Sequence, residues 1–177
     1  MKIRKFKVKD IGEGGVDVDL AVTAAWLAEA CVGTDVTGTP ENLRFAGVLE
    51  PGGEDYLLRA KLTGWLHTPC ARCLEPATHT FDEDIQVVFV ERERLAEGEE
   101  EDLEAPEVLT FSEGVIDLSE ELREEILLAT PPSVLCAESC LGLCPVCGGN
   151  RNQNPCPCAE EERMKASKFA ALAKLKT

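Results

Sequence analysis

The stretch LRFAGVLEPGGEDYLLRAKLTGWLHT (43–68) decides the fold, because it holds two apolar runs separated by a strong turn signal. The turn is Pro51-Gly52-Gly53, in which proline restricts one backbone angle and glycine accepts the left-handed region. On both sides of it, apolar residues partly alternate with polar ones, as on a strand with one buried face. The stretch therefore predicts an antiparallel β-hairpin.

The residues on either side of the hairpin extend it into a larger sheet. THTFDEDIQVVFVE (78–91) alternates apolar and polar residues and predicts a third strand after the hairpin. Residues 2–10 alternate in part and predict an edge strand. LAVTAAWLAEACV (20–32) is rich in alanine and is followed by Gly33, which predicts a short helix. The N-terminal half is therefore expected to be a β-meander with one helix.

The clearest helical pattern lies further along the chain, in VIDLSEELREEILLATPP (115–132). Asp117 is placed to cap this helix, with Glu120 three residues later as in a capping box. The two prolines at 131 and 132 end it. AEEERMKASKFAALAKLK (159–176) predicts a terminal helix, acidic at its start and basic at its end.

Eight of the nine cysteines form four close pairs, whereas Cys31 stands alone and is expected to be a small core residue. The eight candidate metal ligands are Cys70, Cys73, Cys136, Cys140, Cys144, Cys147, Cys156 and Cys158. CPVCG (144–148) is the most specific piece, because a C-x-x-C turn lets two thiolates reach one ion and a following glycine accepts positive φ. The set matches one or two structural zinc ions.

The number of ions, and which sulfurs share one, stay open at this point. The sterically simplest arrangement groups the Cys144–Cys147 pair with the Cys156–Cys158 pair, and the Cys136–Cys140 pair with the CARC pair (70–73). The second group would then clamp the C-terminal segment onto the β-meander. In the alternative, one ion occupies the C-terminal cluster alone and CARC stays a reduced pair.

Two other uses of the thiols compete with zinc. An iron–sulfur cluster is the alternative soft-ligand site, and a redox-active dithiol is the alternative chemistry. A redox C-x-x-C opens a helix after a strand, whereas CPVC is followed by glycines and loop-like residues. His67, three residues before Cys70, is interpreted as a strand-end residue rather than a ligand.

These elements predict an α+β fold, an antiparallel β-meander with flanking helices and a cysteine-rich, zinc-stapled C-terminal segment. Residues 1–90 are expected to be a β-rich half that carries the C-x-x-C motif, and 91–107 an acidic flexible linker. Residues 108–177 are expected to hold a helix, the metal-binding cysteine segment and the terminal helix. At 177 residues, the whole is expected to be one compact domain.

Composition and motifs narrow the class of protein. The N-terminus lacks the apolar stretch of a signal peptide, and the obvious apolar runs are too short to span a bilayer. A cytoplasmic location, where thiols stay reduced, and no membrane partner are therefore expected. No phosphate-binding glycine loop and no nucleophile elbow are present, and the chain has only two histidines, so no enzyme is expected.

The formal net charge of −15 is unevenly distributed. The segment 91–107 is strongly acidic, whereas the first ten residues and the tail after Arg163 are basic. An acidic body complements a basic protein partner, and basic ends suit RNA phosphates. Both kinds of partner are therefore considered.

Three motifs follow one another along the chain: PCARCLEP (69–76), IDLSEELREEILLATPPSVLC (116–136) and CLGLCPVCGGNRN (140–152). Their order resembles the YceD family, the bacterial large ribosomal RNA subunit accumulation proteins. The resemblance implies a cytoplasmic, non-enzymatic factor that supports 23S rRNA accumulation and large-subunit assembly. Cys70 and Cys73 match the family's central pair, and the six later cysteines match a cluster that some members have.

The resemblance implies a large-subunit ribosomal protein or an rRNA maturation factor as partner, bound by an adaptor or chaperone-like factor. The alternative within this class is direct contact with 23S rRNA through the basic termini, together with Arg151. The alternative from another class is a cytosolic thiol oxidoreductase that uses a C-x-x-C pair, which predicts an alkylatable cysteine of low pKa.

Overall fold

A computed structural model describes residues 5–34, 36–94, 107–154 and 156–158. The chain forms two compact units: unit 1 is built from Met1–His67 and His79–Pro132, and unit 2 from Thr68–Thr78 and Ser133–Thr177. The predicted terminal helix (159–176) and most of the acidic segment lie outside the described residues. The terminal helix, the flexible linker and the segment boundaries therefore stay predictions.

The described part of unit 1 is mainly sheet. In chain order, the strands are β1 (Lys5–Lys7), β2 (Val16–Ala21), β3 (Thr39–Gly52), β4 (Asp55–Pro69), β5 (Pro76–Glu91), β6 (Glu107–Phe111) and β7 (Val115–Asp117), and the helices are α1 (Ala24–Ala30) and α2 (Leu118–Ala129). One sheet has the strand order β2-β3-β4-β5-β6, and β1 pairs with β7 in a second, two-stranded sheet. A mainly sheet architecture with two helices confirms the α+β class at this level. In the described part of the chain, neither helix is long and apolar enough to cross a membrane.

The predicted hairpin is confirmed in β3 and β4, which pair antiparallel up to Gly52 and Asp55. Gly53, in the turn, has φ +81°, the left-handed region that glycine adopts without strain. The predicted third strand is confirmed in β5, which lies next to β4 in the sheet. The N-terminal edge strand is shorter than expected, since β1 ends at Lys7 and a 3₁₀ turn follows over Val8–Asp10.

The predicted helix over 20–32 starts too early. Leu20 and Ala21 belong to β2, which pairs antiparallel with β3 and alternates buried and exposed positions. The helix itself spans Ala24–Ala30, and Thr23 caps it by accepting a hydrogen bond from the Trp26 N–H. VDVDLA (16–21) alternates apolar and polar residues, which favours a strand, and this pattern decides the structure of Leu20 and Ala21 although the alanines that follow favour a helix.

The sequence did not predict β6, which lies outside the antiparallel meander expected within residues 1–90. This strand pairs parallel with β5, from Val87 opposite Glu107 to Glu91 opposite Phe111. A parallel neighbour cannot follow by a tight turn and needs a crossover connection. The chain between Glu91 and Glu107 is long enough for such a crossover. Because β6 is parallel to β5 whereas β3 pairs antiparallel with β2 and β4, the sheet is mixed.

The core of unit 1 is one cluster of side chains from the sheet and both helices. From α2, Leu118, Leu122 and Ile126 are fully buried and form the apolar face of this helix. Cys31 is 5% exposed and packs in the same cluster, so its expected role as a core residue is confirmed.

Asp117 caps α2, as predicted, and its carboxylate is held by two kinds of contact. It accepts a hydrogen bond from the Ser119 N–H at 3.0 Å, and it lies 3.0 Å from the Lys5 ammonium. Partial burial raises the pKa of Asp117, but the Ser119 and Lys5 contacts outweigh this and leave the pKa below its usual value.

Replacing Asp117 with alanine is therefore expected to lower the free energy of unfolding at pH 7 by about 1 kcal/mol. A carboxyl with a lowered folded-state pKa stabilises above its unfolded pKa, so this difference should shrink as the pH falls below about 4. Urea unfolding across pH measures it. Asp117→Asn keeps a capping oxygen, so it should destabilise the protein less than Asp117→Ala. If Asp117→Ala lowered the unfolding free energy equally at every pH, the proposed role of the charge would be contradicted.

Candidate metal centres

Unit 2 brings the eight paired cysteines into two groups of four. Centre A consists of Cys70, Cys73, Cys136 and Cys140, and centre B of Cys144, Cys147, Cys156 and Cys158. Within each centre, the Sγ atoms all lie within 4.8 Å of one another. The grouping is the one that the sequence predicted as sterically simplest, and CARC is not left as a separate pair.

The sulfur positions in centre A fit a tetrahedral metal ion. Cys70 Sγ lies 3.8 Å from Cys140 Sγ, and Cys73 Sγ lies 3.6 Å from Cys136 Sγ. Four thiolates at about 2.3 Å from one zinc ion would be about 3.8 Å apart. A disulfide would need a separation of about 2.0 Å. These distances suit a shared ion and not a sulfur–sulfur bond.

The first C-x-x-C turn positions Cys70 and Cys73 between β4 and β5. The Leu74 N–H donates to the Cys70 carbonyl at 3.0 Å, and the Arg72 N–H points to Cys70 Sγ at 3.4 Å. Leu74 has φ +63°, a region that costs a residue with a side chain about 1 kcal/mol or more. The chain holds this conformation where it directs two sulfurs to one point.

The second C-x-x-C turn repeats this geometry with a glycine. The Gly148 N–H donates to the Cys144 carbonyl at 2.8 Å, as Leu74 does to Cys70, and Gly148 has φ +71°. The prediction that the glycine of CPVCG occupies a positive φ is thus confirmed. Residues 145–147 form a turn and do not open a helix, so the helix N-terminus that activates a redox thiol is missing there.

Hydrogen bonds give the thiols within each centre different pKa values. The Cys136 N–H is the main cause that lowers the pKa of Cys70 to about 6, and the Cys147 N–H likewise lowers that of Cys144 to about 7. Neighbouring sulfurs raise the pKa of Cys136 and of Cys158 to about 12, because a thiol beside a thiolate stays protonated. Without a cation, four thiolates cannot share so small a space.

Binding of a divalent ion is therefore expected to release at least two protons per centre at pH 7. The pKa values of Cys73 and Cys136 in centre A, and of Cys156 and Cys158 in centre B, are all raised. All four ligands must be thiolates in the loaded centre. Calorimetric titration of the metal-free protein in buffers of different ionisation enthalpy measures the proton count, and a count near zero would contradict this account.

Several residues that form hydrogen bonds around the centres were not predicted. The Arg72 guanidinium donates to the Cys140 carbonyl at 3.0 Å, and the Arg72 carbonyl accepts from the Leu143 N–H at 2.9 Å. Glu75 and Asn152 contribute further hydrogen bonds across unit 2. The spacing of the cysteines predicts only the metal ligands. The residues that form hydrogen bonds around them follow no spacing rule, so they cannot be predicted from a single sequence.

The two histidines are not members of either cysteine group. His67 lies in β4 and pairs with Glu41 of β3, in agreement with its interpretation as a strand-end residue. His79 lies in β5 and packs edge-on against Phe81, with ring centroids 4.6 Å apart. Among the residues that the structure describes, the ligands of both centres are therefore all sulfur atoms, which favours a soft metal ion.

Comparison with known proteins gives the family. The YceD family model, described as "Large ribosomal RNA subunit accumulation protein YceD", matches residues 58–176. The chain belongs to the YceD family. The resemblance noted from the sequence is thereby confirmed, and the YceD match includes all eight cysteines of the two centres.

A curated relative is the "Large ribosomal RNA subunit accumulation protein YCED homolog 1, chloroplastic" of Arabidopsis thaliana. It is 36% identical over 50 residues, which are 28% of this chain and 16% of that protein. The match thus covers a small part of the plant YceD protein. No solved structure matches the chain.

Proposed function

We propose that this chain is a non-enzymatic, cytoplasmic factor that supports 23S rRNA accumulation and assembly of the large ribosomal subunit. The observation that carries the proposal is the YceD match over residues 58–176, because this family is described as large ribosomal RNA subunit accumulation proteins. In this account, a structural zinc ion in each centre holds unit 2 in the shape that a partner recognises.

The choice of zinc rests on the donor set. Four cysteine sulfurs without histidine or carboxylate suit zinc among the common cytosolic metals. A bound zinc ion would neutralise the thiolates, and four protein ligands would leave it no open position for a substrate. Centre A would join the β4–β5 turn to the segment around Cys136–Cys140, and centre B would close the segment 144–158. Both ions therefore act as structural links.

Ion pairs in unit 1 favour a protein adaptor over direct RNA binding. On the sheet, Arg44 pairs with Asp19, Arg59 with Glu50, and Lys61 with Asp82 and Asp84. At the basic N-terminus, Lys5 pairs with Asp117. Each of these acids lowers the net positive charge that the protein surface offers to RNA phosphates. The acidic surplus instead complements a basic partner, such as a large-subunit ribosomal protein or a maturation factor bound to rRNA.

A cell experiment tests the function. In cells that lack the protein, the ratio of 23S to 16S rRNA should fall, and the wild-type chain should restore it. A variant with all four centre A cysteines changed to serine should fail to restore it, whereas Cys31→Ala should succeed. An unchanged ratio in cells that lack the protein would overturn the proposal.

A binding experiment distinguishes the adaptor hypothesis from the hypothesis of direct RNA binding. Direct binding to 23S rRNA should weaken steeply with salt and drop when Lys5, Lys7 and Lys9 are neutralised. An adaptor should show negligible RNA affinity when isolated and should lose its protein partner when the acids within 99–104 are replaced. Salt-dependent RNA binding with no acid-dependent partner would refute the adaptor.

A further inference from the structure

We propose that the two centres bind their metal ions cooperatively, and that Asn152 is the positioning residue that couples them. Asn152 lies in the chain segment of centre B, between Cys147 and Cys156, yet its side chain contacts a sulfur of centre A. Asn152 Nδ2 donates to Cys140 Sγ at 3.3 Å. This inference rests on the proposed structural role of the metal ions.

The orientation of the Asn152 amide follows from its other contacts. Its Oδ1 accepts from the Leu141 backbone N–H at 2.8 Å, and a backbone N–H can only donate. The amide nitrogen therefore faces the remaining partners, which are Cys140 Sγ and Asn150 Oδ1 at 3.0 Å. Both N–H groups of the amide are used, one of them on a ligand of centre A.

Asn150 fixes Asn152 from the other side. Asn150 Nδ2 donates to Glu75 Oε1 at 3.2 Å, and a carboxylate only accepts, so Asn150 Oδ1 is the end that receives Asn152. The backbone N–H of Asn152 also donates to Asn150 Oδ1, at 3.0 Å. Gln153 donates to the same Glu75 oxygen at 2.8 Å. The loop 150–153 is thus attached to the loop that carries Cys70 and Cys73.

Backbone contacts also attach this loop to the segment that carries Cys144 of centre B. The Cys144 N–H donates to the Gly149 carbonyl at 2.8 Å, and Leu143 and Asn150 form an isolated β-bridge. The Arg151 N–H donates to the Gly142 carbonyl at 3.0 Å. Gly142, with φ +72°, lies in the short link between Cys140 of centre A and Cys144 of centre B. An ion at Cys144 and Cys147 would order this turn, and with it the position of Asn152.

The consequence is a reciprocal coupling of affinities. An N–H donated to a coordinated thiolate stabilises its negative charge, and such outer contacts typically change metal affinity by about 10–100-fold. If an ion in centre B orders the donor, it raises the affinity of centre A. By linkage, an ion in centre A then raises the affinity of centre B by the same factor.

The test measures zinc affinity in the full chain by competition with a chromophoric chelator, and ¹¹³Cd NMR reports each centre separately. Asn152→Ala should weaken centre A by about 10–100-fold, although Asn152 is nearer in sequence to the centre B ligands. Asn152→Leu, which keeps the branching at Cγ but removes both hydrogen-bonding groups, should do the same. Asn154→Ala, an exposed asparagine two positions on, is the matched control and should leave both centres within about 2-fold of the wild type.

A double-mutant cycle then tests the coupling itself. Removing centre B with Cys156→Ser and Cys158→Ser should also weaken centre A, and Asn152→Ala should add little in that background. Additive effects, or an unchanged centre A in Asn152→Ala and Asn152→Leu, would overturn the inference while leaving the metal centres in place. A wild-type chain that takes up no zinc would overturn the proposed function instead, so the two failures are distinguishable.

Discussion

Replacing Cys73 with serine is expected to reduce the metal content from two ions to one per chain. Cys73 is one of four sulfurs in centre A, it is buried, and serine cannot supply a thiolate. Structural zinc contributes about 10–16 kcal/mol of apparent binding free energy in small metal-dependent folds. Loss of the ion should therefore unfold part of unit 2 and make the other three thiols of centre A reactive. Elemental analysis with thiol titration measures both effects.

Cys31→Ala is the matched control for this change. Cys31 is also a buried cysteine, but it packs in the core of unit 1 and is not a member of either centre. The variant should keep two ions and lose only some packing energy. If Cys73→Ser still held two ions, centre A would not be a four-sulfur site.

Replacing Leu122 with alanine is expected to lower the free energy of unfolding of unit 1 by about 2–5 kcal/mol. Leu122 is fully buried in the cluster formed by α2 and the sheet, so truncation leaves a cavity that the neighbours fill only in part. Chemical denaturation followed by circular dichroism measures the loss. For a unit of this size, the effect is a large fraction of the total stability.

Leu128 on the same helix provides the comparison. Its side chain is 78% exposed, and Leu128→Ala should change the unfolding free energy by less than about 0.5 kcal/mol. Equal effects at the two positions would mean that the buried face of α2 is assigned wrongly.

Local patterns predicted the parts of the fold that depend on local chemistry. The Pro51-Gly52-Gly53 turn favours a hairpin through its local backbone preferences. Asp117 caps the start of α2, and the prolines after Thr130 prevent the helix from continuing. The grouping of cysteines was also predictable, because centre B uses sulfurs close in sequence and leaves two pairs for centre A.

Features that depend on distant partners were not predictable. β6 contains only five residues, and nothing in EVLTF (107–111) shows that it pairs parallel with β5. The alanines after β2 favour a helix, so the sequence predicts helix from Leu20 onward. In the structure, β2 continues to Ala21, and Thr23 caps a helix that begins at Ala24. The contact of Asn152 with Cys140 joins two loops through one amide, and no spacing rule describes it.

The most direct test of the account is the metal content of the protein purified without chelator, together with a count of free thiols in the unfolded, metal-loaded and chelated states. We expect two zinc ions per chain, one thiol outside the metal sites, and eight more thiols that become reactive once the ions are removed. Protein that contains no metal and has reactive thiols in the native state would contradict it.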